Sequence, residues 1–375
     1  MVCHLCTTTF DTSYFKNLWF GLSARGIRSL YVSLSEYSLP HWAQEIGGID
    51  YAYLDAASRK KYPRAILKLA WLLRKRRVKV LQTHLYDAGI VGILAARMAN
   101  VPVVIVTRHH LDEPQLLGGK LHVALDRWMA TQADCVIVPS IAVRQHMIKS
   151  ERVQEKKIEV VHYGFDFSSF RNGPEDRWRV REELGLQDDF VVGCVGRLFK
   201  NKGQIYLIAP LKHLVQRIPN IKLLLLGDGD KSAIEAAAHN LGVQDRVIFA
   251  GYRRDIFSCM AAMDLLVHPS LSESFGQVLV EAMAVGTPVI ATRVGGILEI
   301  VKHGETGWLI PPADEQAVLQ AILYLYDNPA VRKQMAENAQ KNVRALFPVE
   351  KMVDKYVNCY KKCLSKVSKV SRRYC

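Results

Sequence analysis

Short apolar, β-branched runs alternate with stretches of helical spacing, and this alternation passes through the chain twice. The first series begins at Val2 and closes near residue 162, and the second begins at Phe190. A βαβα series of this kind places its strands in a parallel sheet that helices cover on both faces. The pattern therefore predicts an α/β fold with two Rossmann-like, doubly wound domains facing each other across a cleft.

The break between the two series predicts the domain boundaries. Residues 164–189 mix Gly, Pro, Asn, Arg and acidic residues, which is typical of a linker with a surface helix. We predict an N-terminal domain over 1–168, a linker over 169–189, a C-terminal domain over 190–346, and a final helix with a basic tail over 347–375. The predicted strands are 2–7, 29–34, 79–83, 103–106, 135–138 and 160–162, then 190–195, 222–226, 247–250, 265–268 and 289–291.

Positive charge is unevenly distributed along the chain. The formal net charge is +14, of which residues 1–170 carry +8, residues 171–350 carry −1 and the last 25 residues carry +7. A basic excess can serve solubility alone, or it can attract an anionic partner such as a membrane surface, nucleic acid or an acidic substrate.

No apolar run is long enough to cross a membrane. The longest, Ile90–Val106, is interrupted by Arg97, Asn100 and Pro102, whereas a span needs about 20 apolar residues. The first residues lack the basic start and apolar run of a secretory signal. We therefore expect a cytoplasmic protein.

The eight cysteines are scattered, and most lie in apolar surroundings, where cysteine behaves as a small hydrophobic residue. Cys3 and Cys6 form a single CxxC on a predicted strand. Residues three apart on a strand point to opposite faces, and a zinc site usually needs a second pair. We therefore expect no metal site and no cofactor.

The first candidate site follows the strand VVGCV, at Gly196–Gly203. Gly196 allows a ligand close to the backbone, Arg197 offers a planar fork for phosphate oxygens, and Lys202 offers a point charge. A predicted helix begins just beyond, and helix N-termini attract anions. The segment suits a diphosphate, although a solvated basic loop would have the same composition.

The second candidate site is the loop after LLVHP, which leads into an apolar helix. Glu273 lies on this loop, where it can accept hydrogen bonds from sugar hydroxyls. Glu281 lies within the apolar sequence VLVEAMAV, and a buried carboxylate needs hydrogen-bond donors such as ribose hydroxyls. A capping glutamate and a structural ion pair are the alternative. The residues expected to present free amides near the helix start are Ser274, Phe275, Gly276, Gln277 and Val278.

These motifs together resemble glycosyltransferase family 4, the retaining nucleotide-sugar transferases with two Rossmann-like domains of the GT-B type. Glu273 and Glu281 match the E-x7-E pattern of that family, and Gly196–Gly203 matches its GRL…KG segment. Gly227 belongs to a matching LGDG turn. Further matches follow in the family's order: GTPVIA at 286–291, Gly295 and Gly296 with Glu299, and GETGWL at 304–309.

The first half resembles the family at Thr107–His110, where many members carry a histidine that faces the donor sugar. By this spacing we expect His109 to take that position, with His110 as the second choice; a pair of loop histidines is the alternative. The chain departs from the family at Thr7–Ser13. Members usually have a glycine-rich loop there, and this loop has no glycine.

The resemblance implies a reaction without a metal ion. Arg197 and Lys202 would hold the diphosphate, Glu281 the ribose, Glu273 the hexose hydroxyls, and Gly196, Gly227 and the 274–278 amides would contact the donor. The acceptor would attack on the face that the phosphate leaves. In family members the final helix often returns to the first domain.

Residues Arg59–Lys79 contain ten basic residues and no acidic residue, interleaved with apolar residues that include Trp71. An amphipathic basic helix of this kind can lie on an anionic bilayer, and the C-terminal tail would add charge. We therefore expect attachment to the cytoplasmic membrane face and a lipid-linked or glycan acceptor. A solvated helix that packs on the sheet is the alternative. A nucleic-acid-binding protein and a catalytically silent sugar-nucleotide-binding protein remain as alternative functions, although no nucleic-acid recognition module is present.

Overall fold

A computed structural model describes residues 1–371, except for residues 9–11, 36, 38, 45–48, 112–118 and 171–173. The chain divides into two compact units. The first comprises Met1–Phe165 together with Phe347–Cys375, and the second comprises Asp166–Leu346. Residues 9–11 of the predicted glycine-free loop, and residues 372–375 of the basic tail, lie outside the described residues.

The first unit contains a parallel sheet of seven strands in the order β3-β2-β1-β4-β5-β6-β7. The strands are β1 Val2–Cys6, β2 Ser29–Ser33, β3 Asp50–Tyr53, β4 Val80–His84, β5 Val103–Thr107, β6 Cys135–Val138 and β7 Ile158–Val160. Its helices are α1 Ser13–Ala24, α2 His41–Gln44, α3 Tyr62–Lys75, α4 Tyr86–Ala99, α5 Gly119–Gln132 and α6 Ile141–Lys149. The apolar strands carry the core of this unit, because β1, β4, β5 and β6 are buried throughout.

The second unit contains a parallel sheet of six strands in the order β10-β9-β8-β11-β12-β13. The strands are β8 Phe190–Val195, β9 Ile221–Leu226, β10 Val247–Gly251, β11 Leu265–His268, β12 Val289–Thr292 and β13 Trp308–Ile310. Its helices are α7 Pro174–Glu183, α8 Ile208–Arg217, α9 Ser232–Asn240, α10 Ile256–Ala262, α11 Gln277–Ala284, α12 Glu315–Asp327 and α13 Pro329–Leu346. The linker predicted at 169–189 thus holds a helix and belongs to this unit.

Strand order reverses once in each sheet, between β1 and β4 and between β8 and β11. Doubly wound sheets bind ligands beyond the carboxyl ends of the strands at this point, because the connections leave it in opposite directions and open a crevice. The loops after β8 and β11 are therefore the places to look for a site in the second unit. They contain the two segments singled out from the sequence.

The last helix, α14 (Val349–Ser371), packs on the first unit rather than on the second. Tyr356 Oη lies 2.7 Å from Tyr14 Oη on α1. Tyr360 Oη donates to the buried Gln82 side chain on β4, and Arg25 and Asp354 form an ion pair of 2.7 Å at the surface. Two buried tyrosines therefore attach the chain's end to the first sheet. No helix in the described part of the chain is both long and apolar enough to span a bilayer.

Candidate functional site

Lys202 and Glu273 bring the two candidate segments into direct contact at the switch point of the second sheet. Lys202 Nζ lies 2.7 Å from Glu273 Oε2. Lys202 ends a short 3-10 turn (Lys200–Lys202) after β8, and Glu273 lies on the loop after β11. Adjacent central strands end side by side, which is why residues 71 positions apart in sequence can meet. The structure therefore joins the two motifs into one site.

Glu273 also contacts His268, the last residue of β11. His268 Nε2 lies 3.1 Å from Glu273 Oε2 and 3.0 Å from Ser270 Oγ. Both His268 and Ser270 are buried. Burial by itself opposes ionisation of Glu273, but the hydrogen bond and charge of His268 and the charge of Lys202 outweigh it and lower its pKa to about 2. Because an ionised carboxylate only accepts, His268 Nε2 must carry a hydrogen.

Three glycines allow the loops of the site to approach each other closely. A Cβ at Gly203 would lie 2.1 Å from the Pro269 carbonyl oxygen, and one at Gly295 would lie 1.9 Å from the Glu273 carbonyl oxygen. A Cβ at Gly227 would lie 2.2 Å from the Gly196 carbonyl oxygen. Any side chain at these positions would displace the loop it touches, so the glycines set the position of Glu273 and of the backbone at Gly196.

Arg197 points out of the β8 loop, where it is exposed and lies over the Phe199 ring at 5.1 Å. No carboxylate pairs with Arg197 among the described residues. The buried Gln204 side chain donates to the Arg197 carbonyl oxygen at 2.9 Å and to that of Gly196 at 3.4 Å. The backbone at the end of β8 is thus fixed, while the guanidinium remains available to an anion.

Helix α11 begins at Gln277, directly after Gly276, whose positive φ of 105° ends the loop that carries Glu273. No side chain of the described residues caps this helix. Within the described part of the chain, no acceptor is found for the main-chain amides of Gly276, Gln277 and Val278. Unsatisfied N–H groups at a helix start carry partial positive charge. The start of α11 therefore supplies N–H donors for an anion, and these donors lie a few residues after Glu273 in the sequence.

Glu281 lies on the same helix and is half-buried. Burial of its carboxyl group raises its pKa to about 7. No hydrogen-bond donor or cation pairs with it in the described ranges. An unpaired buried carboxylate costs free energy unless a donor reaches it. Glu281 is therefore suited to bind a ligand that brings hydroxyl groups.

In the first unit, the half-buried His109 lies next in a line that begins with two buried histidines, His4 and His84. His4 Nδ1 lies 3.3 Å from His84 Nε2, His84 Nδ1 lies 3.1 Å from His109 Nε2, and His109 Nδ1 lies 2.6 Å from Tyr163 Oη. Burial lowers the pKa of His4 and of His109 to about 3, and that of His84 falls well below its usual value. The rings are therefore neutral, and with one hydrogen each they must all donate in the same direction.

Both ring nitrogens of His109 thus have partners within the first unit, and a sugar hydroxyl can reach either nitrogen only by replacing one of these bonds. His110 points elsewhere, with its Nε2 3.5 Å from Asp126 Oδ2. Asp126 and Glu151 both pair with the buried Arg108. The structure therefore separates the two histidines: His109 joins the histidine line, and His110 joins a buried charge cluster.

Sequence reasoning did not identify His268 or Ser270 beside Glu273, nor His84 and Tyr163 beside His109. His268 and His84 are the last residues of apolar strands, β11 and β4. A polar residue that ends such a strand at a switch point is the signal that could have found them.

Comparison with known proteins identifies the class. Residues 12–169 match the family profile described as Glycosyltransferase Family 4, and residues 176–342 match the profile described as Glycosyl transferases group 1. The fold is similar to that of HepE from Anabaena, solved in complex with UDP-glucose, with a TM-score of 0.84 and 25% identity over 96% of this chain and 100% of that one. The protein therefore has the two-domain fold of the GT-B glycosyltransferases.

Two curated relatives narrow the class to a family. The N-acetyl-alpha-D-glucosaminyl L-malate synthase of Bacillus anthracis is 30% identical over 300 residues, which is 78% of this chain and 77% of the relative. The capsular polysaccharide biosynthesis glycosyltransferase CapM of Staphylococcus aureus is 29% identical over 291 residues, 76% of this chain and 77% of the relative. The chain belongs to glycosyltransferase family 4. The resemblance and the fold class predicted from the sequence are confirmed.

Proposed function

We propose that this protein transfers a hexose-type sugar from a nucleoside-diphosphate sugar to a lipid-linked or glycan acceptor. The observation that carries the proposal is the contact of Lys202 with Glu273 at the switch point of the second sheet. Glu281 and the main-chain amides of residues 276–278 follow a few positions along the chain, and no partner for them is found among the described residues. These groups offer a cation and N–H donors for a diphosphate, and carboxylates for hydroxyl groups. The neighbour solved with UDP-glucose favours a uridine nucleotide as the first donor to test.

In this proposal the second unit binds the donor. Arg197 and Lys202 hold the diphosphate together with the amides of residues 276–278, and Glu281 accepts hydrogen bonds from the ribose. Gly196 and Gly227 keep the backbone clear for close approach. Glu273, already ionised and oriented by His268, accepts from the hexose hydroxyls.

The chemical step is electrostatic. Negative charge grows on the diphosphate as the glycosidic bond breaks, and two cations with a helix N-terminus are aimed where that charge develops. This arrangement supports a mechanism that needs no metal ion. The acceptor hydroxyl attacks on the face that the diphosphate leaves and gives its proton to the departing diphosphate oxygen, so the anomeric configuration is retained. His109 contacts the sugar by exchanging one of its two ring hydrogen bonds.

An assay of donor turnover tests the proposal. The purified chain is screened against nucleoside diphosphates and their sugars by thermal shift, and release of the nucleoside diphosphate is then followed with a panel of lipid-linked and glycan acceptors. Arg197→Ala and Lys202→Ala should each lower turnover by roughly 10–200-fold, because each removes a charge-assisted bond of about 1.5–3 kcal/mol. Lys200→Ala is the matched control, since Lys200 is an exposed lysine two positions away.

Three outcomes separate the parts of the proposal. Unchanged turnover in both the Arg197 and Lys202 variants would refute the donor site. Donor binding without transfer to any acceptor would support the alternative of a catalytically silent binding protein. Loss of activity on chelation with EDTA that Mg²⁺ or Mn²⁺ restores would refute the metal-independent step, and an inverted product anomer in NMR spectra would refute retention. Family membership disfavours the nucleic-acid-binding alternative.

We also propose that the first unit attaches to an anionic membrane surface through α3. The buried side of α3 consists of Ala65, Leu69, Ala70 and Leu73. Its exposed side carries Leu67 and Trp71, which are 59% and 58% exposed and lie one helical turn apart. Lys75 Nζ lies 4.6 Å from the Trp71 ring.

Several basic residues around this exposed side have carboxylate partners in their own unit. Arg59, Lys61 and Arg76 pair with Asp87, Asp55 and Asp50. No carboxylate pairs with Lys60, Arg64, Lys75, Arg77 or Lys79 among the described residues. These charges support attraction to anionic lipid at about 1 kcal/mol each. An acceptor carried by a lipid would then be met at the surface to which the protein is bound.

A further inference from the structure

Three cysteine thiols of the first unit converge beneath the last helix. Cys135 begins β6, while Cys359 and Cys363 lie on α14. The three Sγ atoms all lie within 4.8 Å of one another, and those of Cys135 and Cys359 are 3.3 Å apart. Each of the three residues is only 4% exposed. The cluster therefore joins the end of the chain to the sheet inside the unit.

The arrangement has the geometry of a metal-ligand set. Cys359 and Cys363 are four residues apart, so a helix places their thiols on one face, one turn apart. Zinc–sulfur bonds of about 2.3 Å separate the sulfur atoms of one ion by roughly 3.8 Å. The Cys135–Cys359 separation of 3.3 Å is close to that value, and no pair of the three sulfur atoms is more than 4.8 Å apart. A disulfide would use only two of the three sulfur atoms, whereas a metal ion would use all three.

Lys362 and Lys366 of α14 add positive charge beside Cys363, and metal ions bind cysteine in its thiolate form. Four other cysteines, Cys3, Cys6, Cys194 and Cys259, are also buried and form no disulfide, but they form no such cluster among the residues that the structure describes. The convergence is therefore specific to Cys135 and α14.

We propose that Cys135, Cys359 and Cys363 bind one thiophilic metal ion, Cu⁺ or Zn²⁺, through three thiolates. Soft sulfur ligands select these two ions over the harder cations of the cell. Cu⁺ can be three-coordinate with three sulfur ligands in a plane, whereas Zn²⁺ would bind a water molecule as its fourth ligand. The ion fastens α14 to β6 and has no part in sugar transfer. These three cysteines are then ligands rather than the small hydrophobic residues that the sequence suggested.

Metal binding is measured on the reduced full-length chain under anaerobic conditions. The protein is titrated with Zn²⁺ and, in a separate arm, with Cu⁺; both are made to compete with a chromophoric chelator, and bound metal is quantified after desalting. We expect about one ion per chain in one of the two arms. Bound metal should also protect Cys135, Cys359 and Cys363 from alkylation, as read by peptide mass spectrometry, and raise the melting temperature.

Cys363→Ala tests the site, and Cys3→Ala is the matched control, because Cys3 is a buried free thiol of the same unit. The Cys363 variant should bind at least about tenfold more weakly, while the control should bind like the unaltered chain. If Cys363→Ala does not fold, the alkylation pattern of the unaltered chain still decides. Equal metal binding in the two variants would overturn the proposal. So would equal alkylation with and without metal, or recovery of a Cys135–Cys359 disulfide from freshly purified protein.

Discussion

At the scale of single residues, the ion pair of Lys202 and Glu273 links two roles that the sequence assigned separately: diphosphate binding by Lys202 and binding of the hexose hydroxyls by Glu273. Removing the charge of Glu273 frees Lys202 for the diphosphate, so Glu273→Gln should leave the affinity for a plain nucleoside diphosphate unchanged or higher while slowing transfer. Glu281→Gln should weaken that affinity by roughly 10–200-fold, because the ribose loses a charged acceptor. Calorimetric titration with the nucleoside diphosphate, alongside turnover, measures both. A larger loss of affinity in Glu273→Gln than in Glu281→Gln would reverse the two roles.

Glu281 also makes a prediction about stability without ligand. Its pKa is raised to about 7 by burial, above the usual value of an unfolded glutamate near 4.3. The unfolded chain therefore ionises this group at a lower pH than the folded chain does, so the free energy of unfolding falls as the pH rises from about 4.3 and levels off above about 7, at a loss of roughly 3–4 kcal/mol. Glu281→Gln cannot ionise, so its melting temperature relative to the unaltered chain should rise between pH 5.5 and pH 8. A relative melting temperature that is the same at both pH values would contradict this assignment.

At the scale of loops and helices, the turn at Gly295 positions the loop that carries Glu273. Gly295 has a φ of +49°, and its missing Cβ leaves room for the Glu273 carbonyl oxygen, to which the Gly296 amide donates at 3.0 Å. Gly295→Ala should displace this loop and lower turnover more than it lowers the free energy of unfolding. Gly304→Ala is the matched control, because Gly304 also has a positive φ, +76°, but has open space at its Cβ. Equal losses of turnover in both variants would mean that backbone strain, and not the contact, is responsible.

The elements that the sequence predicted well are those whose pattern is set by burial. Strands with continuous apolar runs, such as β6 and β8, have the predicted bounds, because both faces of a central parallel strand are covered. Strands β3 and β13 were not predicted from the sequence. β3 is an edge strand that is half-exposed throughout, so it has no apolar run to recognise. Helices α12 and α13 are separated at Asn328, because the residue before a proline disfavours helix.

The candidate site divides in the same way. Loop positions after strands were predictable, because parallel strands end at one edge of the sheet. The contact partner of each side chain was not predictable from the sequence. The ion pair of Lys202 with Glu273, for example, joins residues that are 71 positions apart and meet only in the folded chain. The line from His4 to Tyr163 was equally hard to predict, since its four members come from two strands and two loops.

At the scale of the whole molecule, the uneven charge makes a prediction about location. The basic excess lies in residues 1–170 and the last 25 residues, whereas residues 171–350 are close to neutral. If α3 attaches the first unit to a bilayer, binding to vesicles should require anionic lipid and weaken with salt, because exposed charges are screened. Trp71→Ala should weaken it further by roughly tenfold, since the ring loses about 1–2 kcal/mol of apolar burial in the lipid interface.

Co-sedimentation with vesicles of anionic and of neutral lipid measures both effects. Trp178→Ala is the matched control, because Trp178 is 55% exposed, much like Trp71, but lies on α7 of the second unit. The control should sediment like the unaltered chain, while the Trp71 variant stays more in solution. At low salt, sedimentation with anionic vesicles that is no greater than with neutral ones would refute membrane attachment. The exposed side of α3 would then be an ordinary solvated surface, and the acceptor would be sought among soluble glycans.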